Sequence, residues 1–267
     1  MAEKTKRIFG YFLSTFVVVV LTSTGSVRAG EGKDLEFKTA RGLATITPLE
    51  HATFVMKWNG RVFFFDPVGG AAKFQSFGEP DVIFITDIHG DHLNVDTVKG
   101  VRTGSTSIVA PPVVVAKLKE AGLDGKRILS LSNGKTAIVT GNIQVETIPM
   151  YNLTEERKKF HPKGRGNGYV LDLAGTRVYI SGDTEDIPEM RELKNIDVAF
   201  VCMNLPFTMT AERAASAVAE FKPKIVYPYH YRGRGDGTQD PKKFKELVEK
   251  SAQDVEVRLL SWYPKKR

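Results

Sequence analysis

Thr86-Asp87-Ile88-His89-Gly90-Asp91-His92-Leu93 decides how this chain reads. Two carboxylates and two imidazoles fall within six residues, directly after the apolar run Val82–Thr86. That run has the composition of a strand buried on both faces, and α/β sheets place their sites just beyond the carboxyl ends of such strands. Asp87 and His89 are two apart and can point the same way. Asp91 and His92 are adjacent and must diverge, which suits a second metal ion. Gly90 lets the loop fold tightly enough to bring all four together. The competing account is a polar surface loop with Asp87 or Asp91 capping a helix.

Two more strand ends carry the same kind of residue. Val178–Ser181 runs into Gly182-Asp183-Thr184, and Ile225–Tyr227 runs into Pro228-Tyr229-His230. A turn role for Asp183 or a strand-end role for His230 explains either one alone; three metal-capable strand ends are harder to explain that way. The chain has only five histidines, at 51, 89, 92, 161 and 230, and three of them are already placed.

Further out, Leu43–Leu49, Phe54–Trp58 and Arg61–Phe65 are β-rich, with Asn59-Gly60 as a tight hairpin turn. Pro112–Gly122 reads as a helix, followed by strands near 128–132, 136–140 and 143–149 with Asn133-Gly134 as another turn. Tyr169–Leu173 and Arg177–Ser181 form a hairpin around Ala174-Gly175, and Val198–Met203 is a buried strand. Thr210 caps a helix running to Phe221 whose apolar stripe is Ala214, Ala217, Val218 and Phe221. A helix over 241–252 and a strand Val255–Trp262 close the chain. No linker divides residues 30–267, so a single domain is expected: an α/β sandwich with sheets inside and helices outside.

Hydrophobic content of 42% with 26% charged residues excludes a disordered chain. The formal net charge is +7, but residues 1–29 hold four basic side chains against Glu3, and removing them leaves +4. With no basic tract interleaved with aromatics, nucleic acid is not an expected partner. Lys4, Lys6 and Arg7, the apolar run Ile8–Leu21, and Val27-Arg28-Ala29 have the three-part form of a secretory signal peptide ending at residue 29. The apolar run is short of the roughly 20 residues a membrane span needs. The expected location is therefore periplasmic or extracellular, with an uncleaved anchor as the alternative. Cys202 is the only cysteine, so no internal disulfide forms, and its apolar surroundings make it a buried structural thiol.

Taken together, Asp87-x-His89-x-Asp91-His92, Gly182-Asp183-Thr184 and Tyr229-His230 resemble the motifs of the metallo-β-lactamase superfamily, in particular its ascorbate-phosphate lactonase-like branch. His51-Ala52-Thr53, Asp66-Pro67, Gly168-Tyr169-Val170 and Phe207-Thr208-Met209-Thr210 add to the resemblance, which covers about residues 43–245. It implies a four-layer αβ/βα sandwich and a metal-dependent hydrolase with two divalent ions, Zn²⁺ first, with Mn²⁺ or Fe as alternatives. One ion is implied at Asp87, His89 and His161; the other at Asp91, His92 and His230, with Asp183 bridging. Water between the ions is implied as the nucleophile, acting on a phosphoester, phosphodiester or lactone. Asp91, Asp183 and His51 would be catalytic, with His51 and Asp66 orienting ligands. Asn152, Lys163, Arg165 and Tyr231 would meet a small, anionic substrate. Two departures stand out. Asp87 replaces the usual His, a harder donor, and the His expected near Asn152 is absent, with His161 the nearest imidazole. These departures motivate a second reading, a catalytically degenerate metal- or ligand-binding envelope protein on the same fold. A di-iron redox protein is disfavoured, because that branch carries Glu where His89 stands.

Overall fold

The computed structural model describes Met1 and residues 35–263; the signal-peptide reading lies outside the described residues. Strand alternation builds the frame. In Thr53–Trp58, Phe54, Met56 and Trp58 enter one buried cluster while Val55 enters another. Phe63 and Phe65 oppose Phe64, Val82 and Phe84 oppose Ile83, and Val109 opposes Ile108 and Ala110 in the same way. A period of two thus sends each strand's side chains alternately into the inter-sheet core and under the outer helices.

The first sheet holds β1 (Glu36–Thr39), β2 (Gly42–Glu50), β3 (Thr53–Trp58), β4 (Arg61–Phe65), β5 (Val82–Phe84), β6 (Ser107–Ala110) and β7 (Ile128–Ser130), side by side in chain order. β8 (Thr136–Val139), β9 (Ile143–Met150), β10 (Gly166–Leu173), β11 (Thr176–Ile180), β12 (Val198–Cys202), β13 (Ile225–Tyr229) and β14 (Glu256–Val257) form the second, also in sequential order. In both sheets the first four strands pair antiparallel and the remaining pairs are parallel. The chain therefore runs through one connectivity twice, a repeat that the residues themselves do not display.

Helices α1 (Val95–Val101) and α2 (Pro112–Glu120) pack Val98, Val114, Val115 and Leu118 against the outer face of the first sheet. α3 (Glu155–Lys158) and α4 (Pro188–Arg191) are single turns. α5 (Ala211–Phe221) and α6 (Pro241–Ser251) join the buried set of the second sheet through Ala214, Ala217, Val218, Phe221, Phe244 and Val248. The result is helix, sheet, sheet, helix, the sandwich expected.

Local chemistry explains several boundaries. Asn59 and Gly60 have φ of 48° and 73°, and Ala174 and Gly175 have 54° and 88°. Both hairpins thus close on paired positive φ, the twist-matched two-residue turn. The Thr210 hydroxyl accepts from Arg213 N at 3.3 Å and starts α5 where expected. The Asn133-Gly134 turn forms as expected and carries the chain from the first sheet to the second, because β7 and β8 lie in different sheets. One expectation needs correction. The strand expected over Val255–Trp262 pairs only at Glu256 and Val257, opposite Ile225 and Val226. Beyond it, Trp262 turns inward and packs edge-on against Phe54 and Phe200 in the inter-sheet core.

Candidate metal centre

All but one of the cluster residues sit just past a strand's carboxyl end: His51 after β2, Asp66 after β4, Asp87–His92 after β5, Asp183 after β11 and His230 after β13. His161 arrives on the loop between β9 and β10. Three of these side chains stand on left-handed backbone, with φ of 46° at His51, 43° at Asp66 and 47° at His230. Non-glycine residues hold that conformation only where the surroundings over-determine it, a pattern concentrated at functional sites.

Four buried ligand atoms have no hydrogen-bond partner: His92 Nε2, His161 Nε2, His230 Nε2 and Asp183 Oδ1. Buried polar atoms are normally satisfied, so their gathering needs a reason. Asp183 Oδ2 lies 3.4 Å from both His92 Nε2 and His161 Nε2, and its Oδ1 lies 3.4 Å from His230 Nε2. Asp91 Oδ2 lies 3.3 Å from His230 Nε2. Donors bound at about 2.0–2.2 Å to one tetrahedral ion stand roughly 3.3–3.5 Å apart. The spacing is that of a coordination shell, and its geometry leaves these four atoms without a hydrogen bond. The residues therefore fit a divalent ion. Among the described residues, three sets have ligand atoms mutually within 4.8 Å: His92–Asp183–His230, Asp87–His89–His161 and His51–Asp91–His230.

The opposite ring nitrogens fix these imidazoles. His92 Nδ1 donates to Asp66 Oδ2 at 2.8 Å, while Asp66 also accepts from Thr86 N at 2.7 Å and the Thr86 hydroxyl at 2.6 Å. His161 Nδ1 donates to the Phe207 carbonyl at 3.1 Å. His230 Nδ1 lies 3.3 Å from Asn204 Nδ2, and Asn204 Oδ1 accepts from the Thr208 hydroxyl at 2.7 Å. Replacing Asp66 with Asn is expected to weaken metal binding by about 10–100-fold, the usual cost of losing a ligand's hydrogen-bond partner. Competition with a chromophoric chelator measures this; unchanged affinity would make the contact incidental.

Burial alone would raise the Asp183 carboxyl, but His230, His92 and His161 around it hold it well below the carboxylate range. Burial would likewise lift Asp91, and His92 and His230 outweigh it. His92 is driven upward against its burial by Asp183, Asp66 and Asp91. His161 goes the other way: burial pushes it down to about 4, so at neutral pH it is an uncharged donor. Burial lifts Cys202 to about 12, and its thiol donates to the Thr184 carbonyl at 3.4 Å. It is the structural thiol expected.

Several expectations change on contact with the geometry. Asp91 and His92 converge instead of diverging, with Asp91 Oδ1 3.9 Å from His92 Nε2. The turn His89–Leu93, in which the amides of His92 and Leu93 both donate to the His89 carbonyl, wraps the pair around one point. Asn152, expected beside a substrate, is buried; its amide donates to the carbonyls of Phe207 at 2.7 Å and Arg157 at 2.9 Å and lies 3.2 Å from His161 Nδ1. It braces the loop bearing His161. Lys163 pairs with Glu189 at 2.9 Å and covers the Tyr151 ring, so its ammonium has partners other than a substrate. Tyr231 packs on Tyr263, which in turn packs on His51, one ring removed from the cluster. His51 lies edge-on to His230 with its Nδ1 buried and unpartnered. Arg165 does reach the cluster, where it pairs with Asp87 at 2.7 Å.

Sequence reading missed Glu185. Its carboxylate accepts from the amides of Leu153 and Thr154, both at 2.7 Å, and pairs with Arg157 at 2.9 Å and Arg213 at 3.1 Å. It thereby ties the His161 loop to the Asp183 turn. Only its place two residues after Asp183 hinted at this. The cluster opens to solvent at His89 and Asp91, whose side chains are 38% and 43% exposed against 4% or less for Asp87, His92, His161, Asp183 and His230.

Residues 45–230 match the family described as Beta-lactamase superfamily domain. The chain is 32% identical over 224 residues to a UPF0173 metal-dependent hydrolase of Methanopyrus kandleri, covering 80% of this chain and 96% of that protein. It is 31% identical over 216 residues to another of that name from Pyrococcus horikoshii, covering 78% and 93%. Among solved structures it is similar to a candidate metal-dependent hydrolase from Parabacteroides distasonis, with a TM-score of 0.74 and 38% identity over 84% of this chain and 96% of that one. A metallo hydrolase from Ignicoccus hospitalis shares the fold at a TM-score of 0.67 and 23% identity, over 81% and 94% of the two chains.

Proposed function

The chain belongs to the metallo-β-lactamase superfamily and is a metal-dependent hydrolase, and we propose that it cleaves an ester-type bond in a small substrate: a phosphoester, a phosphodiester or a lactone. One observation carries this reading: the unpartnered Nε2 atoms of His92, His161 and His230 meet the single carboxylate of Asp183 at 3.4 Å. We assign one divalent ion to His92, His230 and Asp183 with Asp91, and a second to Asp87, His89 and His161 with Asp183 between. Zn²⁺ suits the imidazole-rich set, and Mn²⁺ or Fe remain compatible with its carboxylates. When bound, such ions polarise the scissile group and bring the pKa of water toward neutrality.

The chain's own residues do the rest. Asp66 and the Phe207 carbonyl hold the tautomers of His92 and His161, keeping Nε2 directed inward. Asp91 and His89 line the mouth through which substrate enters. His51, which lies beside Asp91 and His230 and keeps an unpartnered Nδ1, is the residue we assign to exchange a proton with attacking water or leaving group. No helix among the described residues is long and apolar enough to cross a membrane. We place the protein outside the cytoplasm, on the signal-peptide pattern of residues 1–29 alone.

The test is turnover of p-nitrophenyl phosphate, bis-p-nitrophenyl phosphate and a simple lactone by metal-loaded and chelator-stripped protein. Turnover of at least one that vanishes on stripping and returns with metal is expected. Bound ions with no turnover of any would contradict the proposal and favour the binding-protein alternative.

A further inference from the structure

The two halves of the donor cluster are not alike. His92, His230 and Asp183 meet with unpartnered ligand atoms. Asp87 meets a guanidinium: Arg165 Nε donates to its Oδ1 at 3.0 Å and Nη2 to its Oδ2 at 2.7 Å, a two-pronged fork. The same Nη2 lies 3.2 Å from His89 Nε2 and also donates to the Phe160 carbonyl. The other nitrogen of His89, Nδ1, stands 3.0 Å from Asp87 Oδ2. In this half only His161 keeps a buried nitrogen without a partner.

We infer that Arg165 is a built-in counter-cation for Asp87 and competes with the metal ion of that half, so that the two ions bind with unequal strength. The inference rests on the metal-centre reading above. Asp87 is fully buried, and a buried carboxylate left unpaired is costly, so it needs a cation. Arg165 supplies one without any ion. A divalent ion brought to Asp87 and His89 would stand against the guanidinium and be repelled by it. Arginine does not relieve that repulsion by losing its proton; the side chain must swing away from Asp87. The His92–Asp183–His230 half has no such competitor among the described residues and takes its ion first.

The test titrates metal-free, full-length protein with Zn²⁺ against a chromophoric chelator, for the wild type, Arg165→Gln and Arg165→Lys. The wild type is expected to bind one ion tightly and a second at least about tenfold more weakly. Arg165→Gln removes the charge and is expected to tighten the second ion by about tenfold while leaving the first within about twofold. Arg165→Lys keeps a charge and is expected to leave the second ion weak; it keeps the test sound should the Gln variant fold poorly. Two equally tight ions in the wild type, or a second ion unchanged or weakened in Arg165→Gln, would overturn the inference. No ion bound by the wild type would overturn the metal-centre reading itself, and the inference with it.

Discussion

Asp183→Ala is expected to lower metal affinity by more than about 100-fold and to abolish chelator-sensitive hydrolysis, leaving the fold intact. Asp183 approaches the unpartnered nitrogens of His92, His161 and His230 at 3.4 Å, through both of its oxygens. Removing a partner one contact away from a metal ligand usually costs about 10–100-fold, and a carboxylate common to both donor sets should cost more. Its folded-state role is lighter. The side chain faces the cluster, and one of its oxygens has no hydrogen bond to lose. Equilibrium dialysis against buffered Zn²⁺, with circular dichroism as the control on folding, measures the effect. Retained affinity in a folded variant would remove Asp183 from the ligand set.

The largest expected loss of stability is at Phe54. It is fully buried, stacks on Phe65 at 4.2 Å within its own sheet and on Phe200 at 4.7 Å across to the other, and meets Trp262 edge-on at 5.8 Å. Phe54→Ala would leave a cavity where the sheets join. Such truncations cost about 3–5 kcal/mol, which for a chain of this size corresponds to a fall in Tm of roughly 10 °C. Denaturant unfolding monitored by fluorescence reads it directly. A loss below about 1 kcal/mol would mean that the surrounding rings close over the gap.

What the residues disclosed was local, and what they hid depended on distant partners. α5 appears where Thr210 and its apolar stripe place it, because a cap and a 3.6-residue period act within a few turns. Strand ends carrying Asp87, Asp183 and His230 were legible because an apolar run followed by a polar ligand is a contiguous pattern. The final strand was misjudged because its length depends on where β13 offers pairing, and Trp262 gains more from the core than from the sheet edge. The doubled connectivity stayed hidden because strand order leaves no trace in residue identity. Arg165 and Asp87 are 78 positions apart; no spacing rule reaches that far, and a basic loop residue reads as solvated or substrate-facing. Asn152 was misplaced for a related reason. Its partners, the Phe207 and Arg157 carbonyls, are backbone groups that carry no sequence signal.

That the unpartnered donors hold metal is tested at the atoms themselves by anomalous diffraction from crystals grown with Zn²⁺. An anomalous peak is expected about 2.0–2.2 Å from His92 Nε2, His230 Nε2 and a carboxylate oxygen of Asp183, with a weaker or absent peak near Asp87. A zinc-loaded crystal with no peak among these three side chains, and water or a hydrogen bond satisfying them instead, would contradict it.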